Sequence, residues 1–259
     1  MKANAIVRIV IYSLVILLLV GILLAGLGIG SLTFHIGAGS GTVVENEASV
    51  NAEGVKNLTI DWAAGSIRIE TAETDTITFR EASSDNTEYR MTYQLSGNTL
   101  KLSYGMTGLS IGLISIPSKD LVITVPVGWI CKKLEIDGAS LSIDISGIVV
   151  DSIDLDGASN DLEFSGSVAE ADIDGASNSV TLNCIDRPSR IELDGASCDL
   201  MLTLPKGCGF AVQMDGLSCD FHSNLSCTGS GGDYSYGDGY CKINADGISC
   251  DVTVNESEL

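Results

Sequence analysis

One tetrapeptide limits what this chain can fold into. Asp-Gly-Ala-Ser begins at Asp137, Asp156, Asp174 and Asp194, and Asp215-Gly-Leu-Ser and Asp246-Gly-Ile-Ser continue the series. The intervals are 19, 18, 20, 21 and 31 residues, the last enlarged by a Gly/Ser/Tyr insertion at 229–239. Self-similarity at a short, nearly constant period marks a repeat architecture. Each box is flanked by strict alternation, as in Leu134-Glu135-Ile136 before it and Asp161-Leu162-Glu163-Phe164 after it. Period two means strands with one dry face, and no window of the repeats has a helical period. A repeat of about 19 residues with two or three short strands predicts an all-β solenoid, its rungs stacked at roughly 4.8 Å. An antiparallel sandwich is the alternative, since short strands with Gly turns also suit it. The regular register of six similar boxes favours stacking.

Stacking puts Asp137, Asp156, Asp174, Asp194, Asp215 and Asp246 in one acidic column. Glu135, Asp154, Asp172 and Glu192 form a second column two residues earlier on the same outer face. Two readings follow. Calcium could bridge rungs through Asp137, Asp156, Asp174 and Asp194, because hard oxygen ligands suit it. Otherwise the box is turn chemistry, with Asp capping its own turn and Gly at positive φ. The tetrapeptide is neither an EF-hand loop nor a calcium nonapeptide, so turn chemistry is the reading preferred and no cofactor is expected.

The residue after each box Ser reads Leu141, Asn160, Asn178, Cys198, Cys219 and Cys250, and alternation turns it inward. Stacked Asn can form an amide ladder, and Cys is a small buried hydrophobe. The eight Cys of an exported chain could instead pair as disulfides. Cys227 and Cys241 flank the insertion and are the pair expected. Zinc is disfavoured, because there is no C-x-x-C pair and only two His.

The amino terminus predicts an anchor. Ile9 to Leu32 carries no charge and is long enough to cross a bilayer as a helix. Lys2 and Arg8 precede it, and all 34 acids lie beyond it, so the positive-inside rule exports the rest. A cleaved signal peptide is the alternative, but the apolar run is long and no A-x-A-like site follows. The expected layout is a cytoplasmic tail at 1–8, a transmembrane helix at 9–32 and a stalk at 33–54. A β-rich part at 55–130 then leads to repeat rungs at 131–255, with the insertion at 228–240.

Between stalk and repeats, Leu58-Thr59-Ile60 leads to Gly65-Ser66-Ile67-Arg68-Ile69, with Ala64-Gly65-Ser66 read as a relic of the turn. A strand then ends in Pro126-Val127-Gly128, and the chain closes with Gly237, Gly239, Ile243, Gly247 and Ser249 in order. Over about residues 55–255 this order resembles the bacterial putative-adhesin family, a domain of unknown function often carried behind one membrane span. The resemblance implies a right-handed β-solenoid on the cell exterior, with some relatives linked to envelope stress responses. It brings no catalytic residues. The chain departs from the family pattern in its Asp-Gly-Ala-Ser boxes and its Cys count.

Charge removes one function class. With 14 Lys+Arg against 34 Asp+Glu, the net charge is −20, and nothing here could neutralise a row of phosphates. An enzyme is disfavoured, because His35 and His222 are isolated and the acids repeat uniformly where an active site breaks a pattern. Acids on a solenoid face keep a carbohydrate-active enzyme as one alternative. A second is an envelope stress sensor acting through a membrane partner, since an eight-residue tail cannot hold an effector domain. The preferred reading is a non-enzymatic adhesin or scaffold with a cell-surface or membrane-protein partner. Tyr234, Tyr236 and Tyr240 of the insertion are its candidate contact, since Tyr among Gly and Ser is a recognition composition.

Overall fold

The computed structural model describes residues 42–44, 47–81, 90–105 and 118–257, and the backbone of 32–34 and 109–111. The described residues are all-β. The strands are β1 (Leu32–Phe34), β2 (Thr42–Val43), β3 (Glu47–Asn51), β4 (Asn57–Asp61), β5 (Ala64–Ala72), β6 (Thr76–Glu81), β7 (Thr92–Ser96), β8 (Thr99–Ser103) and β9 (Leu109–Ile111). The repeats follow as β10 (Lys119–Pro126), β11 (Ile130–Cys184), β12 (Arg190–Leu204), β13 (Phe210–Ser223), β14 (Thr228–Ser230), β15 (Asp233–Tyr236) and β16 (Cys241–Glu256). The expected tail and membrane span lie outside the described residues, apart from Leu32. Among those described, no helix is long and apolar enough to cross a membrane.

The repeats coil into stacked rungs in parallel register. The long β11 passes through successive boxes without a break, and β12 lies beside its last turn with Asp174 opposite Asp194. At the other end Asp137 of β11 lies opposite Asp61 of β4. Inward columns of Ile, Leu, Val and Phe form one core, including Ile136, Leu155, Ile173 and Leu193 before the boxes and Ile143, Leu162, Val180 and Leu200 after them. The repeat strands β10, β11, β12 and β16 largely alternate between this core and water, as their sequence predicts.

Four findings differ from the sequence reading. First, the rungs do not stack in chain order. β16 pairs with β12 on one side and β13 on the other. The box at Asp246 therefore sits between those of Asp194 and Asp215. The β14–β15 hairpin supplies the reason. It leaves β13, pairs antiparallel to it as the outermost layer, and returns the chain to the slot beside β12.

Second, the box glycines do not have positive φ; none of Gly138, Gly157, Gly175, Gly195, Gly216 and Gly247 is in that region. They are glycine because the backbone passes too close for a side chain. A Cβ on Gly195 would lie 2.5 Å from the Gly175 carbonyl oxygen of the next rung and 2.9 Å from Cys198 Sγ. On Gly175 it would lie 2.6 Å from the Gly157 oxygen and 2.4 Å from Asn178 Oδ1. The glycine makes room for the inward residue three positions later.

Third, the relic of the box is Asp61-Trp62-Ala63-Ala64, since Asp61 pairs with Asp137 and Ala64 with Ser140. Trp62 stands at the glycine position, where it plugs the amino-terminal end of the core against Tyr104 at 5.3 Å between ring centroids. Fourth, part of the expected stalk is built into the sheet: β2 pairs with β7 and β3 with β6.

Candidate functional site

The expected ligands Asp137, Asp156, Asp174 and Asp194 do share one column, between Asp61 at one end and Asp246 and Asp215 at the other. Partial burial, reinforced by the carboxylates above and below, raises the Asp137, Asp174 and Asp194 carboxyls to about 6. Asp156 is raised by partial burial and by Asp154 two residues before it, with Lys133 opposing. Asp137 and Asp174 are nonetheless open to solvent. Among the described residues no three His, Cys, Asp or Glu side chains converge in a geometry that could hold a metal ion. The column is one carboxylate per rung, strung along the rod.

The second column is different, because cations punctuate it. Lys133 joins Glu135 and, at 3.0 Å, Asp154. Arg190 joins Glu170 at 3.2 Å and Glu192 at 2.6 Å. The Lys133 ammonium beside it holds the Glu135 carboxyl below the ordinary range. Salt bridges this exposed contribute little each, but they pair charges that otherwise repel.

Beneath these columns, the side-chain amides of Asn160 and Asn178 lie 3.2 Å apart. Both side chains are buried, as are Cys198 and Cys250. Cys198, Cys250 and Cys219 continue the same inward column in register. All eight cysteines are free thiols, and Cys227 and Cys241 are not bonded to each other. Cys241 is buried at the start of β16, while Cys227 is half-buried just before β14. Burial pushes the Cys131, Cys184 and Cys241 thiols up to about 12. Thiols held so far from the thiolate are packing groups rather than nucleophiles. His222 is exposed on β13 opposite Thr253, and His35 lies outside the described residues.

A buried ion pair lies at the amino-terminal end. Lys119 Nζ contacts Glu81 and donates to the Tyr104 carbonyl at 2.8 Å. It sits 4.1 Å from the Tyr104 ring centroid and 4.9 Å from that of Trp62. Trp62 Nε1 donates to the Lys119 carbonyl at 3.0 Å. Burial lowers the Lys119 pKa, with Glu81 opposing. Lys119 is 1% exposed, so the group ties β6, β10 and the Trp62 plug together and presents nothing to a ligand.

The insertion closes the other end. In β15 the side chains alternate, Tyr234 and Tyr236 half-buried and Asp233 and Ser235 exposed. Tyr234 stacks on Phe221 with centroids 4.5 Å apart and planes at 22°, and Tyr236 packs against Phe210 at 5.8 Å. Tyr240 remains exposed, with the Arg187 guanidinium 4.5 Å over its ring and bonded to Asp238 at 2.7 Å. The three tyrosines are thus divided between a lid on the core and the surface.

On the outer face of this cap lies a groove of about 350 Å³, lined among others by Ala211, Gln213, Thr228, Ser235, Lys242 and Asn244. Four adjacent strands build it. Across them Lys242, Ala211, Ser235 and Thr228 form one row. Asn244, Gln213, Asp233 and Ser230 form the next. The second row continues the Asp172–Glu192 carboxylate column, because Glu192 pairs with Asn244. The carboxylates thus give way to amides where the groove begins. That break was present in the sequence as Gln213 and Asn244 at the positions of Glu192 and Asp172. The repeat makes the two amides neighbours, and the hairpin adds the Ser235 and Thr228 hydroxyls to the same surface.

Comparison with known proteins adds the following. The model of the Toastrack DUF4097 family matches residues 53–255. No curated protein matches the chain. A solved structure of a putative cell adhesion protein from Clostridium sporogenes ATCC 15579 is similar at a TM-score of 0.50 and 14% identity, covering 82% of this chain and 99% of that one. A putative adhesin from Bacteroides fragilis NCTC 9343 has 11% identity and a TM-score of 0.35 over 83% of this chain and 99% of its own. One from Parabacteroides distasonis ATCC 8503 has 11% identity and 0.38 over 85% and 98%. At these identities the first likeness bears on the fold alone, and the other two carry no argument.

Proposed function

Because this chain belongs to the Toastrack DUF4097 family, we propose that its coil is a non-enzymatic adhesive or scaffolding module at a bacterial cell surface. We propose further that the uncharged apolar stretch from Ile9 up to β1 is its membrane anchor, with the coil outside. The coil is right-handed, the sense that parallel crossovers almost always adopt. One observation carries this reading: an outer face with a line of carboxylates, one per rung, gives way to a polar groove at the capped end. A stiff rod with its contact surface at the end far from the anchor is built to present that surface. The Clostridium sporogenes neighbour, called a putative cell adhesion protein, lends support to the same role.

The test is expression of the full chain, tagged at its carboxy terminus, in a bacterium lacking it. The tag is expected to be accessible to antibody on intact cells, and those cells to gain adherence to host cells or to one another. An inaccessible tag, or unchanged adherence with the tag exposed, overturns the reading. A membrane protein that co-purifies in place of any gain in adherence favours the sensor.

A further inference from the structure

We propose that the groove on the β16–β13–β15–β14 face binds a neutral saccharide. The inference rests on the surface-module reading and names its ligand class. The lining chemistry carries it. Gln213 and Asn244 each offer an amide that both donates and accepts, and Thr228 and Ser235 offer hydroxyls that do the same. Sugar hydroxyls need such two-way partners, spaced here by neighbouring strands at about 4.8 Å. Gln213 makes no hydrogen bond with another described side chain, so its amide is available. Asn244 Nδ2 donates to Glu192 Oε1 at 3.3 Å, which leaves its carbonyl oxygen for a ligand. Ala211 lies between Lys242 and Ser235 in its row, and its small side chain leaves the depression that a ring can enter.

Charge narrows the choice. A chain of net charge −20 repels anions. The ammonium of Lys242, the groove's cation, already donates to the Gly239 carbonyl. Asp233 is the one carboxylate of the lining, and a divalent cation needs several oxygens at once. The ring of Tyr234 is committed to Phe221 inside the cap. A ligand is therefore held by hydrogen bonds at its edges, which suits a hydrophilic ring better than a flat aromatic one. The volume is at the low end of the roughly 300–1,000 Å³ of small-molecule sites, so the groove fits one or two sugar units.

The test uses the full chain in a zwitterionic, sugar-free detergent. It is probed with immobilised neutral oligosaccharides of glucose, galactose, mannose and N-acetylglucosamine, and with sialylated and sulfated glycans. Binding to at least one neutral glycan is expected. Ala211→Trp, which fills the floor, and Gln213→Ala, which removes the free amide, should each weaken it at least tenfold with the unfolding midpoint unchanged. Asn244→Asp, which extends the carboxylate column, should weaken it as well. No neutral glycan bound, binding confined to anionic glycans, or wild-type binding by both Ala211→Trp and Gln213→Ala overturns the proposal. Glycan binding without cell adherence overturns the adhesive role and leaves the groove standing. Adherence without glycan binding does the reverse.

Discussion

The glycine of each box shows how one missing side chain sets a whole rung. It sits in extended backbone, where any residue could adopt its φ, yet its α-carbon faces both the carbonyl of the next rung and the inward side chain three residues on. Contact, not conformation, selects it. Gly195→Ala should therefore destabilise by about 1–3 kcal/mol, the range for overpacking a tight interior. The carbonyl it meets is backbone in the middle of a sheet and cannot swing away. A urea titration of the full chain checks this: the midpoint falls while the slope holds. An unchanged midpoint would mean that adjacent rungs can part to admit a methyl group. The inward Asn160 and Asn178 belong to the same design. Buried amides in line along the stack favour this register, because a one-residue slip would replace Asn178 by a serine and Asn160 by Ser159 or Asp161.

At the scale of the element, the insertion is a lid before it is a loop. A parallel coil ends in an edge whose N–H and C=O groups are free to pair with another chain. The β14–β15 hairpin covers the edge of β13 with an antiparallel partner and lays Tyr234 and Tyr236 over Phe221 and Phe210. Removing Tyr234 as Tyr234→Ala should cost about 2 kcal/mol, combining partial apolar burial with an aromatic contact. It should also loosen the edge. Light scattering after mild heating should then detect self-association that the wild-type chain does not show. A variant that stays monomeric at the same lowered midpoint would mean that hydrogen bonding alone holds the hairpin. The amino-terminal end uses another device, a buried Trp62 held by the Lys119–Glu81 pair. Breaking such a pair strands a charge, which makes it a strong constraint on which strands meet there.

Across the whole molecule, a net charge of −20 makes pH the natural handle on stability. The Asp137, Asp174 and Asp194 carboxyls release their protons near pH 6 when folded, against about 3.9 in an unfolded chain. Between those values the folded state holds protons that the unfolded state has lost, so these groups make stability fall as pH rises. Glu135 works in the opposite sense, its contribution present above its ordinary value and lost as pH falls below it. The full chain should therefore unfold at a higher temperature at pH 5 than at pH 7.5 in low salt. Added salt should recover part of the difference at pH 7.5, because it screens exposed charges. A midpoint that rises from pH 5 to 7.5 would show that the column is not self-repulsive.

The repeat, the alternation and the inward column were all legible in the sequence, because a period-two pattern fixes which side chains meet the core whatever the tertiary arrangement. So Leu141, Asn160, Asn178 and Cys198 were placed inside and Asp137 to Asp194 in one line. Other features depended on contacts between segments far apart in the chain, which no local pattern encodes. The slot that receives β16 is one, since a box at Asp246 reads the same whether it stacks above or below the box at Asp215. The reason for the box glycines is another, because the clash that excludes a side chain comes from a neighbouring rung. The groove is the third. The repeat by itself sets Gln213 beside Asn244, but the Ser235 and Thr228 hydroxyls join them on one surface only because the hairpin folds back antiparallel on β13.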